Sequence, residues 1–298
     1  MIRLAVCGDE ARWQMVAARL RGGSINCSLD SVDSHWSSNA CDAVLLVAPD
    51  PQASGLIARA LEDGKHVCLA SPTELPRGEL DSFAAAAKQT GVQFAVVNPD
   101  RYLPSRQLLR QQLDAGKLGR PGLVRMYRWE PTPANSSKTL PSPLLLDLDL
   151  AVWLMCLSPN SVFATETRRT TDGTESGRTI QVHLGFPDGP MALIGYSSAL
   201  PSGDDYRSLS VMGSAGAAYA DDHQNMQLVY RGQHPQAFRV EEGIRPLVNL
   251  TQDFVDALQT QRDLSPSLVE WHRVRTIADA VEQSLISRQA VSLEGCQS

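Results

Sequence analysis

Short apolar runs alternate with amphipathic stretches through the first part of the chain. Ile2–Cys7 reads as a strand, and Ala11–Leu20 as a helix with Trp13, Val16, Ala17 and Leu20 on one face. "INCSL" (25–29) has the pattern of a second strand ending at Asp30, and "SVDSHWSSNA" after it reads as loop. "DAVLLVAP" (42–49) is continuously apolar, as expected of a strand buried on both faces. Gln52–Asp63 is helical and stops at Gly64, the usual place for a left-handed cap residue. "HVCLA" is the next strand, Glu79–Thr90 the next helix, ended by Gly91, and "VQFAVV" a further strand. Ser105–Ala115 is one more helix, stopped by Gly116. Strand–helix repetition of this kind predicts a doubly wound parallel sheet.

The texture changes after the turn-rich "LGRPG" (118–122). "LVRMYRW", "SVFATETRR", "TIQVHLGF", "MALIGYSS", "YRSLSVMG", "AAYAD" and "MQLVYR" are strand-like, and "TDGTESG", "PDGP", "PSGD" and "SAGA" supply turn chemistry between them. Leu144–Leu157 is an early helix; Leu247–Gln261 and Ser267–Ser287 are late ones. The expected architecture is therefore α/β. A Rossmann-like, doubly wound parallel sheet covers residues 1–122. An α+β domain covers 123–298, with a large, mostly antiparallel sheet and the three helices packed against it.

Composition narrows the function classes. The chain has 298 residues, 43% of them apolar, enough for a core without metals or disulfides. The net charge is −6 and no basic run occurs, which argues against nucleic acid or an anionic membrane surface as partner. Cys7, Cys27, Cys41, Cys68, Cys156 and Cys296 lack C-x-x-C spacing, and no two histidines have metal-ligand spacing, so no metal site is expected. No signal-peptide pattern precedes the first strand, and no apolar run spans a bilayer. A cytoplasmic protein with reduced thiols is the expectation.

"DAVLLVAPDPQASGLIARALEDGKHVCLASP", "GVQFAVVNPDRYLPSRQLLRQQLDAGKLGRPGLVRM", "SPLLLDLDLAVWLMCLSPNSVFA", "HLGFPDGPMALIGYSS" and "LSVMGSAGAAYAD" together resemble, in order, the Gfo/Idh/MocA oxidoreductase family. The resemblance implies an NAD(P)-dependent oxidoreductase of a sugar, a polyol or a similar small molecule bound in an interdomain cleft. It also implies a homodimer or higher oligomer formed through the C-terminal sheet. It places Gly8, Asp30, Ala48, Pro49 and Asn98 toward the cofactor. The departures are as informative as the matches. Ser71 stands where the family has a lysine that polarises the reacting group. Leu146, or Ala151 in a shifted alignment, stands where it has an acid/base histidine, and Ala53 replaces the histidine of its A-T-P-N-x-x-H turn. The stretch from Asp30 to Asp42 is too short for the helix and strand that the family has there, so the resemblance implies a sheet trimmed at one edge.

The nucleotide fingerprint G-x-G-x-x-G keeps only its first glycine. Gly8 is followed by Glu10 and Trp13 in the places of the second and third. The second glycine lets the backbone approach a pyrophosphate, and Glu10 puts a side chain and a negative charge there. This crowding argues against binding of NAD or NADP. Asp30 is either a ribose ligand or a loop cap. In "NPDRY", Asn98, Arg101 and Tyr102 follow a strand whose carboxyl end lines the ligand crevice. There Tyr102 is the candidate proton carrier and Arg101 the candidate positive group, and a capped surface loop is the competing reading. Asp147 and Asp149 lie two apart on a helix, so they do not form an acid/base pair, and a cap or salt bridge is expected of them. Three functions stay open: a dehydrogenase, a member of the same fold that binds a small ligand or a partner protein without hydride transfer, and an enzyme of a different class that reuses the interdomain cleft.

Overall fold

The computed structural model describes residues 2–7, 10–20, 41–47, 53–70, 75–131, 139–171, 174–221, 226–230, 236–239 and 244–293. These form two compact units, Met1–Leu103 with Glu242–Arg273, and Pro104–Glu241 with Val274–Ser298. The texture boundary at residue 122 does not coincide with this grouping.

The first unit holds strands β1 (Leu4–Cys7), β2 (Ala43–Leu46), β3 (His66–Ala70) and β4 (Phe94–Val97), hydrogen-bonded in the order β1-β2-β3-β4 and all parallel. Helices α1 (Glu10–Leu20), α2 (Ala53–Glu62) and α3 (Arg77–Thr90) connect them. Gly64 and Gly91 have φ of 68° and 73°, the left-handed conformation that ends a helix at no steric cost. All four residues of β2 are buried, as its unbroken apolar run requires. The strand candidate at 25–29, and with it the trimmed edge, lies outside the described residues.

One face of this sheet is closed by a helix from far along the chain, α6 (Arg245–Gln259). Its Leu247, Leu250, Phe254 and Val255 join Val16 and Leu20 of α1 over Leu4, Val6, Leu45 and Cys68. This corrects the sequence expectation that the helix at 247–261 packs on the antiparallel sheet. Its periodicity defines an apolar face, and the parallel sheet has a face of matching residues left to cover.

His66 opens β3, half-buried, and its Nδ1 accepts the Gln93 N–H at 2.9 Å. Burial pushes its pKa down, against a smaller upward pull from Asp42. The neutral ring is thus favoured in the fold, so its contribution is fully present above the unfolded value of about 6.5. It is lost as pH falls from there toward the depressed folded value. Thermal unfolding is expected to show this loss below pH about 6.5, and His66→Asn, which keeps an acceptor that cannot titrate, is expected to flatten that limb. An unchanged profile in the variant would remove His66 from the account.

The second unit carries helices α4 (Pro104–Asp114) and α5 (Ser142–Met155) and a nine-stranded sheet. Its strands are β5 (Pro121–Pro131), β6 (Ser161–Thr171), β7 (Thr174–Gly185), β8 (Met191–Leu200), β9 (Tyr206–Gly213), β10 (Ala217–Asp221), β11 (Met226–Tyr230), β12 (Gln236–Arg239) and β13 (Val291–Ser292). The order is β12-β11-β10-β9-β5-β8-β7-β6-β13, every pairing antiparallel except β5 with β8. Helix α5 lies on β5 and β8. Beneath it, Val124, Met126, Ile180, Val182, Ala192, Ile194, Leu209 and Val211 form a buried inner face. The outer face carries Tyr127, Trp129, Phe163, Leu193 and Met212. Gly195 lets the Tyr127 ring lie across β8, since a Cβ there would stand 2.6 Å from that ring. Helix α7 (Pro266–Ser287) contributes its first part to one unit and its remainder to the other.

Candidate functional site

In an open α/β sheet the ligand crevice lies beyond the carboxyl ends of the strands. Gly8, Asp30, Ala48, Pro49 and Ser71, all expected there, lie outside the described residues. The end of β4 is described. Asn98 is buried and caps the 3₁₀ turn Pro99–Tyr102, its Oδ1 accepting the Asp100 N–H at 2.9 Å. The same turn carries Arg101 and Tyr102, so the structure brings these three residues together.

Both candidate reactive groups on that turn already have partners in the first unit. The Arg101 guanidinium donates through Nη1 to Glu270 Oε2 at 2.6 Å. The Tyr102 phenol donates to Asp253 Oδ2 at 2.9 Å, and its carbonyl accepts from Asn249 Nδ2 at 3.3 Å. Asp253 is held in turn by Arg262 Nη2 at 2.7 Å. Burial, and then the negative charge of Asp253, push the Tyr102 phenol far above its ordinary range. A phenol held protonated against a carboxylate is a poor acceptor for a substrate proton. The geometry at this turn is that of a capped loop stitched to α6.

In the second unit, the inner face of the sheet changes character along the strands. Val124 and Met126 are followed in the same phase by Arg128 and Glu130; Val162 and Ala164 by Glu166 and Arg168; Val182 and Ile180 give way to Arg178; Ile194 to Tyr196 and Ser198. The register sets Arg128 beside Tyr196, Tyr196 beside Ile180, and Ile180 beside Glu166. Arg128 reaches Asp147 of α5 with both forks, Nε to Oδ2 at 2.8 Å and Nη2 to Oδ1 at 2.6 Å, and each side chain is only 6% exposed. Tyr196 donates to Glu130 Oε1 at 2.6 Å, and burial together with this carboxylate raises its phenol. Arg178 donates twice to Glu166, and Arg168 donates to the other oxygen of the same carboxylate.

Asp147 thus takes the salt-bridge role expected of it, and Asp149 is buried on the same helix. Of the two residues that the resemblance sets against a histidine, Leu146 is a half-buried aliphatic side chain and Ala151 is fully buried. Sequence reading did not find Arg128, Glu130, Glu166, Arg178 and Tyr196. The available signal was charged residues continuing the inward phase of "LVRMYRWE" and "TETRR". Chemically, this end of the sheet offers guanidinium–carboxylate pairs and one phenol, that of Tyr196. Such groups hydrogen-bond hydroxyls but do not abstract protons readily. Among the described residues no group of three or more His, Cys, Asp or Glu side chains could hold a metal ion, and no helix is long and apolar enough to cross a membrane.

A sequence profile of the GFO/IDH/MocA C-terminal domain matches residues 107–219. The chain is 22% identical over 292 residues to inositol 2-dehydrogenase of Rhizobium meliloti (strain 1021), covering 93% of this chain and 88% of that protein. In fold it is similar to a probable dehydrogenase from Thermotoga maritima, with a TM-score of 0.78 at 19% identity over 98% of this chain and 99% of the other. It is also similar to an oxidoreductase from Agrobacterium radiobacter solved in complex with NAD+, L-tartaric acid and magnesium. There the TM-score is 0.77 at 14% identity, over 98% of both chains.

Proposed function

Because the chain is a member of the Gfo/Idh/MocA family, we propose that it binds a sugar- or polyol-like small molecule and that its nicotinamide-dependent turnover is impaired. The observation that carries this reading is the chemistry of position 146. Oxidising an alcohol by hydride transfer needs a group to take the hydroxyl proton and a positive group to hold the developing alkoxide. Acid/base help alone is worth about 10²–10⁴ in rate, and charge stabilisation is comparable or larger. Leu146 provides no proton acceptor, and Ser71 provides no charge. The substitutes nearest in the sequence, Tyr102 and Arg101, are engaged by Asp253 and Glu270.

The cofactor is the second part of the proposal. In the sequence, Glu10 puts a carboxylate at the fingerprint's second position, where the family's helix begins. A carboxylate at a helix N-terminus occupies electrostatically the place an anionic pyrophosphate would take. Trp13 adds the largest of side chains at the third position. These residues do not fit a dinucleotide as the family fingerprint does, and no reaction step is routed through one. The competing reading, a working NAD(P)-dependent dehydrogenase, is favoured by the relative named inositol 2-dehydrogenase and by the NAD+ complex of the Agrobacterium neighbour. An assay with myo-inositol and common sugars, with each nucleotide, separates them. No turnover is expected, and robust turnover would establish the competing reading.

Assembly follows from the outer face of the nine-stranded sheet. Trp129, Phe163, Met191 and Met212 are each more than one-third exposed there, and the Trp129 ring lies 4.7 Å from that of Tyr206. An exposed apolar sheet face of this kind fits a second copy of the chain related by a two-fold axis. Sedimentation at micromolar concentration is expected to give a dimer or higher oligomer, and a monomer would count against it. A cytoplasmic location accords with the same reading.

A further inference from the structure

A cleft of about 630 Å³ opens in the second unit, between β6 and the last turns of α7. Pockets of about 300–1,000 Å³ suit small molecules. Its walls are fixed to one another. The Ser284 hydroxyl on α7 accepts the Ala164 N–H of β6 at 2.9 Å and donates to the Gln289 carbonyl at 2.6 Å. Just beyond, β13 pairs with β6 through Val291 and Val162.

The floor is built from arginine. The Arg178 side chain is 7% exposed; its Nε and Nη2 donate to Glu166 Oε2 at 2.9 and 2.6 Å, and its Nη1 to the Thr139 carbonyl at 2.6 Å. A guanidinium has about five N–H donors, so Arg178 keeps roughly one more on each Nη. Glu166 also accepts from Arg168 Nε, so one carboxylate serves two guanidinium groups. Arg288 stands at the rim with φ of 56°, a conformation that favours glycine, and it lines the same cleft. The second lining carboxylate, Glu282, accepts the Leu140 N–H at 3.4 Å. The charged lining is therefore Arg168, Arg178 and Arg288 against Glu166 and Glu282, a positive balance. Leu285 and Ile286 supply an aliphatic wall.

We propose that this cleft binds a small organic anion, its carboxylate or phosphate oxygens on the Arg178–Arg168–Arg288 side and its aliphatic body against Leu285 and Ile286. Guanidinium forks suit planar or tetrahedral oxyanions. A neutral polyol is the poorer match, because it brings no charge to the positive lining and Glu166 already accepts from two guanidinium groups.

The test is calorimetric titration of the full-length protein with succinate, with inorganic phosphate, and with butane-1,4-diol as the uncharged control. Saturable binding of an anion and none of the diol is expected, and the tighter of the two anions assigns the head group. Arg288→Gly and Arg168→Gln should each weaken it by about tenfold or more, the size of a charge-assisted hydrogen bond. The glycine also suits the backbone at 288, so the fold is kept, which unchanged thermal unfolding without ligand would verify. Absence of saturable binding for both anions overturns the proposal, as does affinity unaltered in both variants.

Discussion

Asp147→Ala is expected to be the most damaging single change in the second unit, costing about 3–5 kcal/mol of stability. That is a large share of the roughly 5–15 kcal/mol that holds a typical domain folded. The reason is what remains behind. Arg128 would keep its charge in a setting where its side chain is 6% exposed, with both forks deprived of the carboxylate they now reach at 2.6 and 2.8 Å. The pair itself is a poor source of net stability, because taking two charges out of water costs nearly as much as their attraction returns. The double variant Arg128→Met with Asp147→Leu should therefore recover most of the loss. Urea unfolding of the three proteins measures this. A loss below about 1 kcal/mol for Asp147→Ala, the level of a surface pair, would show that Arg128 is solvated or otherwise satisfied.

The second large effect concerns the nucleotide. Replacing Glu10 and Trp13 together by glycine is expected to improve dinucleotide affinity by about tenfold or more. An anion at a helix N-terminus gains about 0.3–1 kcal/mol when exposed and up to about 2 when partly buried, and a carboxylate placed there takes that gain from the pyrophosphate. Each 1.4 kcal/mol or so is a factor of ten in affinity, and release of the steric block adds to it. Calorimetry with NAD+ and NADP+ on both proteins reads the change. An affinity unaltered by the two glycines would mean that neither side chain meets the pyrophosphate.

Strands bounded by strong punctuation were the most legible part of the fold. "HVCLA" is β3 from end to end, because an unbroken apolar run between a helix-ending glycine and a polar loop has few other uses. Helix α6 shows the limit. Spacing of Leu247, Leu250 and Phe254 declares an apolar face but not which sheet needs covering, and that depends on where the chain passes. Strands β12 and β13, four and two residues long, carry too few positions for any period to show. The parallel pairing of β5 with β8 is hidden because it joins Leu123 to Met191 across two intervening strands, and no local pattern declares so distant a partner. At the candidate site, the residues were visible but their partners were not. Tyr102 and Asp253 are 151 positions apart, and Arg101 and Glu270 169 apart. Nothing local in "NPDRY" distinguishes a reactive pair from a tethered one. Asp147 was recognisable as a salt-bridge residue, while Arg128 became its partner only through the packing of α5 on β5.

The proposed closure of the nucleotide site by Glu10 and Trp13 is open to a direct test. Titration of the unmodified protein with NADH, followed by fluorescence and calorimetry, tests it most directly. No saturable binding is expected below about millimolar concentration if, as proposed, Glu10 repels and Trp13 crowds the pyrophosphate. A dissociation constant in the micromolar range would contradict it.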